Sequence, residues 1–279
     1  MTTPGESLLA AELEKLRAVT FEHHWRLQTL ETQMRKRVLV SEARAALLES
    51  GRTARVPGCE SRSQYGEDAV LWELLGCPLD GCFVEAGAID GLSLSVTAIL
   101  EALGWSGLLV EPIPGQAAAC RTNRPASTVA QTALGAPNAP PTTSFIQVEG
   151  APEFSGIAPD DAHRDLARQQ GGVETRISVP VTTLDRALEQ AGAGSWPAID
   201  AVVLDLEGGE PEALAGFTLD RWRPRVLMIE DHDRSDDSPI ATLMSGTGYT
   251  QVGCLRINRI YVRDDETDVR ERAASIHLI

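Results

Sequence analysis

Two acids stand at the ends of short apolar runs, 26 residues apart. Glu85 sits in Phe83-Val84-Glu85-Ala86, and Gly87-Ala88-Ile89-Asp90-Gly91 follows as a Gly-x-x-x-Gly turn. Glu111 closes Gly107-Leu108-Leu109-Val110. In open α/β sheets, ligands bind beyond the carboxyl ends of the strands, where such residues collect. Gly87 allows a sharp turn and lets a ligand approach where a Cβ would collide. Free amides at the start of the next helix suit an anionic group. Glu85 answers a positive ammonium on the same ligand, with Asp90 in support. A carboxylate at Glu111 accepts two ribose hydroxyls, at about 1.5–3 kcal/mol per charge-assisted bond. The plainer reading makes both acids turn and strand-end residues facing water. No G-x-G-x-x-G fingerprint is present, which disfavours a nicotinamide cofactor.

A second group of acids closes two later runs: Asp205-Leu206-Glu207-Gly208-Gly209-Glu210 and Ile229-Glu230-Asp231-His232-Asp233. Asp205 and Glu207 point the same way if the chain stays extended. A weakly acidic hydroxyl needs a general base to take its proton. His232 is the first candidate, because an unperturbed imidazole titrates near neutrality, with Asp231 and Glu207 as competitors. Asp205, Glu230 and Asp231 on adjacent strand ends offer oxygen ligands to Mg2+, which would lower a hydroxyl's pKa. In the other reading, Asp205 and Glu207 position a cofactor amine and an acceptor without any ion.

These residues need a sheet to bring them together. Strands are expected at Cys82–Ala86, Gly107–Glu111, Thr128–Ala133, Ser144–Val148, Ala201–Asp205, Val226–Glu230, Tyr249–Val252 and Arg259–Val262, the last two as an antiparallel hairpin. Helices are expected at Leu92–Leu103, Pro114–Asn123, Thr183–Gln190 and Pro211–Phe217. Strand–helix alternation predicts an α/β fold with a mostly parallel sheet. An insert from Pro137 to Pro180, carrying His163 and Arg164, is expected to cover the acceptor.

The first fifty residues read differently. Between Glu6 and Ser50 there is no glycine or proline, which predicts one long helix. Leu9, Leu13, Leu16, Thr20, His23, Leu27, Leu30 and Met34 repeat at 4-3 spacing, a heptad seam that predicts a coiled coil and a homo-oligomer through residues 9–34, the other reading being one amphipathic helix packed on its own domain. The expected domains are an arm over 1–52, a linker over 53–62 and a catalytic domain over 63–279.

The 279 residues carry a net charge of -15. That opposes a nucleic-acid partner, which wants clustered Lys and Arg, and an Asn/Asp-Pro-Pro-aromatic block for a flipped base is absent as well. The acidic balance favours a small-molecule or glycan acceptor. Five scattered cysteines form no CxxC pair, so neither a disulfide framework nor a zinc cluster is expected. The N-terminus lacks a signal-peptide pattern and no apolar run is long enough for a membrane span, so a cytoplasmic protein is expected.

The chain resembles the FkbM family of methyltransferases across about Ser63 to Asp264. The segments that carry this are Ser63-Gln64-Tyr65-Gly66-Glu67-Asp68, FVEAGAIDG, GLLVEPIP, Asn123-Arg124-Pro125, Phe154-Ser155-Gly156-Ile157, Thr183-Leu184-Asp185, Val203–Glu210 and Arg223-Pro224-Arg225-Val226. The resemblance implies a Rossmann-like seven-stranded sheet (class I methyltransferase) and S-adenosylmethionine as methyl donor. It also implies O-methylation of a sugar or secondary-metabolite hydroxyl. Gln64, Asp68, Glu85, Gly87, Asp90, Gly91, Glu111 and Asp205 are then the expected donor-binding residues. Asp231-His232-Asp233 after Ile229-Glu230 departs from the family's usual apolar-then-polar continuation. The alternative is a catalytically inactive scaffold that assembles through its coiled coil.

Overall fold

The computed structural model describes residues 4–56, 58–157, 161–233 and 235–276, without the side chains of 4–11, 18 and 161–163. The stretch free of helix breakers is one helix, α1 (Pro4–Glu49). It stops at Gly51, whose φ of 68° supplies the left-handed residue that terminates helices. Leu39, Ala43 and Leu47 at its C-terminal end are buried in the core with Trp72 of α2 (Glu67–Leu74). Residues 53–62 have no regular structure where they are described.

The strands in chain order are β1 (Cys82–Ala86), β2 (Ser106–Val110), β3 (Thr128–Ala130), β4 (Ala133–Leu134), β5 (Thr142–Glu149), β6 (Val173–Thr182), β7 (Ala201–Leu204), β8 (Val226–Glu230), β9 (Tyr249–Leu255) and β10 (Asn258–Arg263). Seven of them form a sheet in the order β3-β2-β1-β7-β8-β10-β9. The first five run parallel, while β10 is antiparallel to both its neighbours. The expected hairpin is present, with its second strand inserted beside β8.

Alternation along each strand splits the core into two faces. Phe83, Leu109, Val203 and Met228 pack on one side with α1, α2 and α3 (Ala98–Leu103). Val84, Leu108, Val202 and Leu227 pack on the other, with the helices Leu184–Gln190 and Glu210–Ala215. Strand order changes direction between β1 and β7, and a crevice opens there at the carboxyl ends, as open α/β sheets require.

Three expectations change. The expected strand Thr128–Ala133 is two strands, and β4 leaves the main sheet to pair with β6. The expected helix Leu92–Leu103 begins only at Ala98. Asp90 accepts from the N–H of Leu92 (2.9 Å) and Ser93 (2.6 Å), while the Ser95 and Thr97 hydroxyls donate to Glu85; such side-chain bonds compete with helix formation. The insert contains most of β6, unforeseen because half of its ten residues are polar and Pro180 interrupts it. It forms a ten-residue strand antiparallel to β5, with the helix Asp161–Gln169 between them. Among the described residues no helix is long and apolar enough to cross a membrane.

Candidate active site

The crevice between β1 and β7 is a cavity of about 410 Å3. Of the residues expected in the site, Gln64, Glu85, Gly87, Glu111, Asp205, Glu207, Glu230 and His232 line it, and Asp68, Asp90, Gly91 and Asp231 do not.

Glu85 lines the cavity and is heavily hydrogen-bonded. It accepts from the Val96 N–H (2.7 Å), the Ser95 hydroxyl (2.8 Å) and the Thr97 hydroxyl (2.6 Å), with Arg124 at 3.5 Å. It holds loop 91–97 chiefly through Oε2, while Oε1 accepts only from Val96 and keeps a lone pair toward the cavity. Gly87 has φ 87°, and a Cβ there would lie 1.8 Å from the Asp205 carbonyl oxygen. The glycine is demanded by the close approach of the β1 and β7 ends.

Glu111 is 4% exposed. One carboxylate oxygen accepts from the Ile89 N–H (2.9 Å) and the other from Ile113 (2.8 Å). Each oxygen keeps a lone pair for a ligand hydroxyl. Burial pushes the carboxyl up to about 7, against the opposing pull of those two N–H groups. Between the ordinary value of 4.5 and 7, the folded chain holds a proton that the unfolded chain has released. This group's contribution to stability is therefore complete below 4.5 and lost as pH rises through 7, a total of roughly 3 kcal/mol. The melting temperature of the parent is expected to fall between pH 5 and 7.5, and that of Glu111→Ala to fall less steeply; equal slopes in thermal scans would contradict this.

The expectation that Asp205 and Glu207 share a face through an extended chain is not met. β7 ends at Leu204, and Glu207 has φ 53°. This left-handed conformation re-aims its side chain into the cavity beside Asp205. Glu210 holds the turn, accepting from the N–H of Leu206 (2.5 Å) and Gly208 (3.1 Å). Left-handed φ at a non-glycine residue costs about 1–2 kcal/mol and collects at functional sites.

Asp205 is exposed toward the cavity yet enclosed by protein atoms. Desolvation, followed by repulsion from Glu230, lifts the carboxyls of Asp205 and Glu207 well above the usual range. Glu210 rises to about 7 for the same reasons. His232 Nε2 lies 3.4 Å from Glu230, and that bond raises the imidazole to about 9. His232 is therefore an imidazolium at neutral pH and has no free nitrogen with which to act as the first general base. The same surroundings lift Glu207 to about 8, so it too holds a proton at neutral pH and can accept one from a hydroxyl only once ionised.

Asp231 is 6% exposed and faces away from the cavity, bonded to Arg259 Nε (2.6 Å) and the Ser238 hydroxyl (2.6 Å). Two other groups have donor atoms within 4.8 Å of one another: Glu207–Glu230–His232 and Asp205–Glu210–Glu230. The expected metal set of Asp205, Glu230 and Asp231 is not assembled. In the first group, the proton on His232 competes with an ion for the imidazole.

Asp68 accepts from the hydroxyls of Ser61 and Ser63 and the N–H of Arg62 and Ala69. It fixes the segment before Gln64 and Tyr65, which form the cavity's lip. Gly91 (φ 80°) packs on Arg124, where a Cβ would meet Cγ at 2.8 Å. The insert supplies an apolar wall through Phe145, Phe154, Ile157 and Leu166. Arg164 instead pairs with Glu174 (2.7 Å), and His163 lies outside the described side chains.

Arg124 is the residue that sequence reasoning passed over. It is fully buried, and its five N–H groups go to Glu101 (3.0 Å), Gly91 O (2.9 Å), Ser95 Oγ (3.1 Å), Thr97 O (3.1 Å) and Thr97 Oγ1 (2.9 Å). A signal existed: Glu101 is a lone charge within the apolar run Ala98-Ile99-Leu100-Glu101-Ala102-Leu103, and such a charge needs a buried partner.

A model of the methyltransferase FkbM domain matches residues 85–260, more than half of the chain and all of the cavity's acidic wall from Glu85 to His232. No curated protein and no solved structure matches the chain. With that span covering the strands, the glycine bend and the acids that build the cavity, the chain belongs to the FkbM family of methyltransferases.

Proposed function

We propose that this methyltransferase uses S-adenosylmethionine to methylate a hydroxyl of a sugar, glycan or secondary metabolite, in the catalytic domain of residues 63–279. One observation carries this reading: a single cavity joins Glu111, free to accept ribose hydroxyls, to Glu207, aimed inward by a left-handed turn. Gln64 at the lip and Asp205 at the end of β7 complete the surroundings of the donor. S-adenosylmethionine, when bound, supplies an already activated methyl group, so transfer needs alignment more than electrophilic help. In its ionised form, which gains as pH rises toward 8, Glu207 takes the acceptor's hydroxyl proton on a carboxylate oxygen. His232 stays protonated on Glu230 and offsets part of the negative charge around that oxygen. Phe145 and Phe154 exclude water from the acceptor side.

Calorimetric titration with S-adenosylmethionine tests the donor half. The parent is expected to bind, and Glu111→Ala to bind about tenfold or more weakly through the loss of charge-assisted bonds. A parent that shows neither heat nor a thermal shift would refute it.

A further inference from the structure

We propose that two copies of this chain pair through α1 as a parallel, in-register, two-stranded coiled coil over residues 13–34. The proposal stands apart from methyl transfer.

The seam residues Leu13, Leu16, Leu27, Leu30 and Met34 are 49–68% exposed, a row of large apolar side chains left in water along one face of a helix. Trp25, Gln28, Thr32 and Arg35 lie on the other side of α1 and face the domain: Gln28, Thr32 and Arg35 border one pocket with Tyr65 and Arg256. The Arg256 guanidinium sits over the rings of Trp25 (5.8 Å) and Tyr65 (5.4 Å) and donates to Gln28. The seam ends at Met34, and the next positions of the repeat, Arg37 and Ser41, are polar. There α1 turns its apolar residues, Leu39, Ala43 and Leu47, into its own core. At this end a trough of about 630 Å3, open on one side, lies between Leu27, Met34 and Val38 of α1 and Trp72 of α2.

Charge selects the occupant. With Leu13, Thr20, Leu27 and Met34 at a, and Leu16, His23 and Leu30 at d, the g positions are Glu12, Val19, Arg26 and Gln33, and the e positions are Arg17, His24, Glu31 and Val38. A parallel in-register pair brings each g residue to the e residue five places later on its partner. Glu12 then meets Arg17, and Arg26 meets Glu31. Val19 meets His24 and Gln33 meets Val38, so no like charges oppose. Antiparallel registers that place Glu12 against Arg26, or Arg17 against Glu31, each set an arginine against its own copy. Thr20 and His23 form one polar layer in the seam, of the kind that fixes register at some cost in stability. The surface of α1 is therefore complementary to itself.

Sedimentation and light scattering of the full chain at micromolar concentration test this. The expected mass is twice 30.0 kDa. Leu27→Glu combined with Leu30→Glu, both at exposed side chains, is expected to give a monomer with an unchanged circular dichroism spectrum. Leu16→Cys at a d position is expected to link the two copies by a disulfide at that position on mild oxidation, identified by peptide mapping, whereas Glu14→Cys on the outer face is not. A monomeric parent, a trimer or tetramer, a dimer that survives the double substitution, or a dimer in which the Leu16→Cys variant forms no such cross-link each overturns the proposal.

Discussion

Replacing Glu207 with glycine is expected to raise the melting temperature while all but removing methyl transfer. The left-handed φ of 53° at Glu207 is strained for any residue with a Cβ and free for glycine. The same side chain adds a desolvated carboxylate beside Asp205 and Glu230. Relief of the backbone strain is worth about 1 kcal/mol, a rise of roughly 2–4 °C for a chain of this size. Loss of the base costs about 10²–10⁴ in rate. Glu207→Gln keeps the strained backbone and loses the base, so it should match the rate loss without the same gain in stability. A residue conserving only structure would show the opposite sign on stability. Retention of activity within tenfold in the glycine variant would remove Glu207 from the chemistry.

Arg124→Met should be among the most damaging single substitutions in the chain. Its guanidinium is the cation facing both Glu85 and Glu101, each nearly sealed from water, and spends all five N–H groups on loop 91–97 and Glu101. It also lies over the Phe83 ring at 5.3 Å. Removing one partner of a buried ion pair leaves an uncompensated charge and costs about 3–5 kcal/mol. For a chain of this size that is a fall in melting temperature of about 10 °C. Arg124→Lys should rescue little, because an ammonium offers three donors and no planar fork. Thermal unfolding by circular dichroism measures both, and a shift under about 2–3 °C for Arg124→Met would contradict the account.

The parts of the fold set by local pattern were readable from the residues. β1 and β8 have the bounds that their apolar runs predict, and the helix Pro114–Asn123 begins at the proline and ends before Arg124-Pro125. The mostly parallel sheet and its closing hairpin follow from the same alternation, while the count of seven strands is what the family resemblance implies. What escaped was decided by chain returning from a distance. Glu85 also anchors Ser95, Val96, Thr97 and Arg124, a task that no local pattern announces. Asp231 looks catalytic until Arg259, 28 residues later, claims it on the neighbouring strand. The unperturbed pKa of His232 was a sound premise only without Glu230 beside it. Glu207 reached the cavity for a reason that no periodicity contains, a left-handed turn braced by Glu210. A lone acid in sequence thus marks a strand end well and its task poorly.

The central claim is that this cavity moves a methyl group from S-adenosylmethionine to a hydroxyl. The most direct measurement is an incubation of the full chain with donor labelled in its methyl group and a panel of sugars and hydroxylated metabolites, resolved by mass. The account predicts label on at least one hydroxyl oxygen, with S-adenosylhomocysteine formed in equal amount, and loss of both in Glu207→Gln. Label on nitrogen or carbon, or a product that Glu207→Gln makes as fast as its parent, would contradict it.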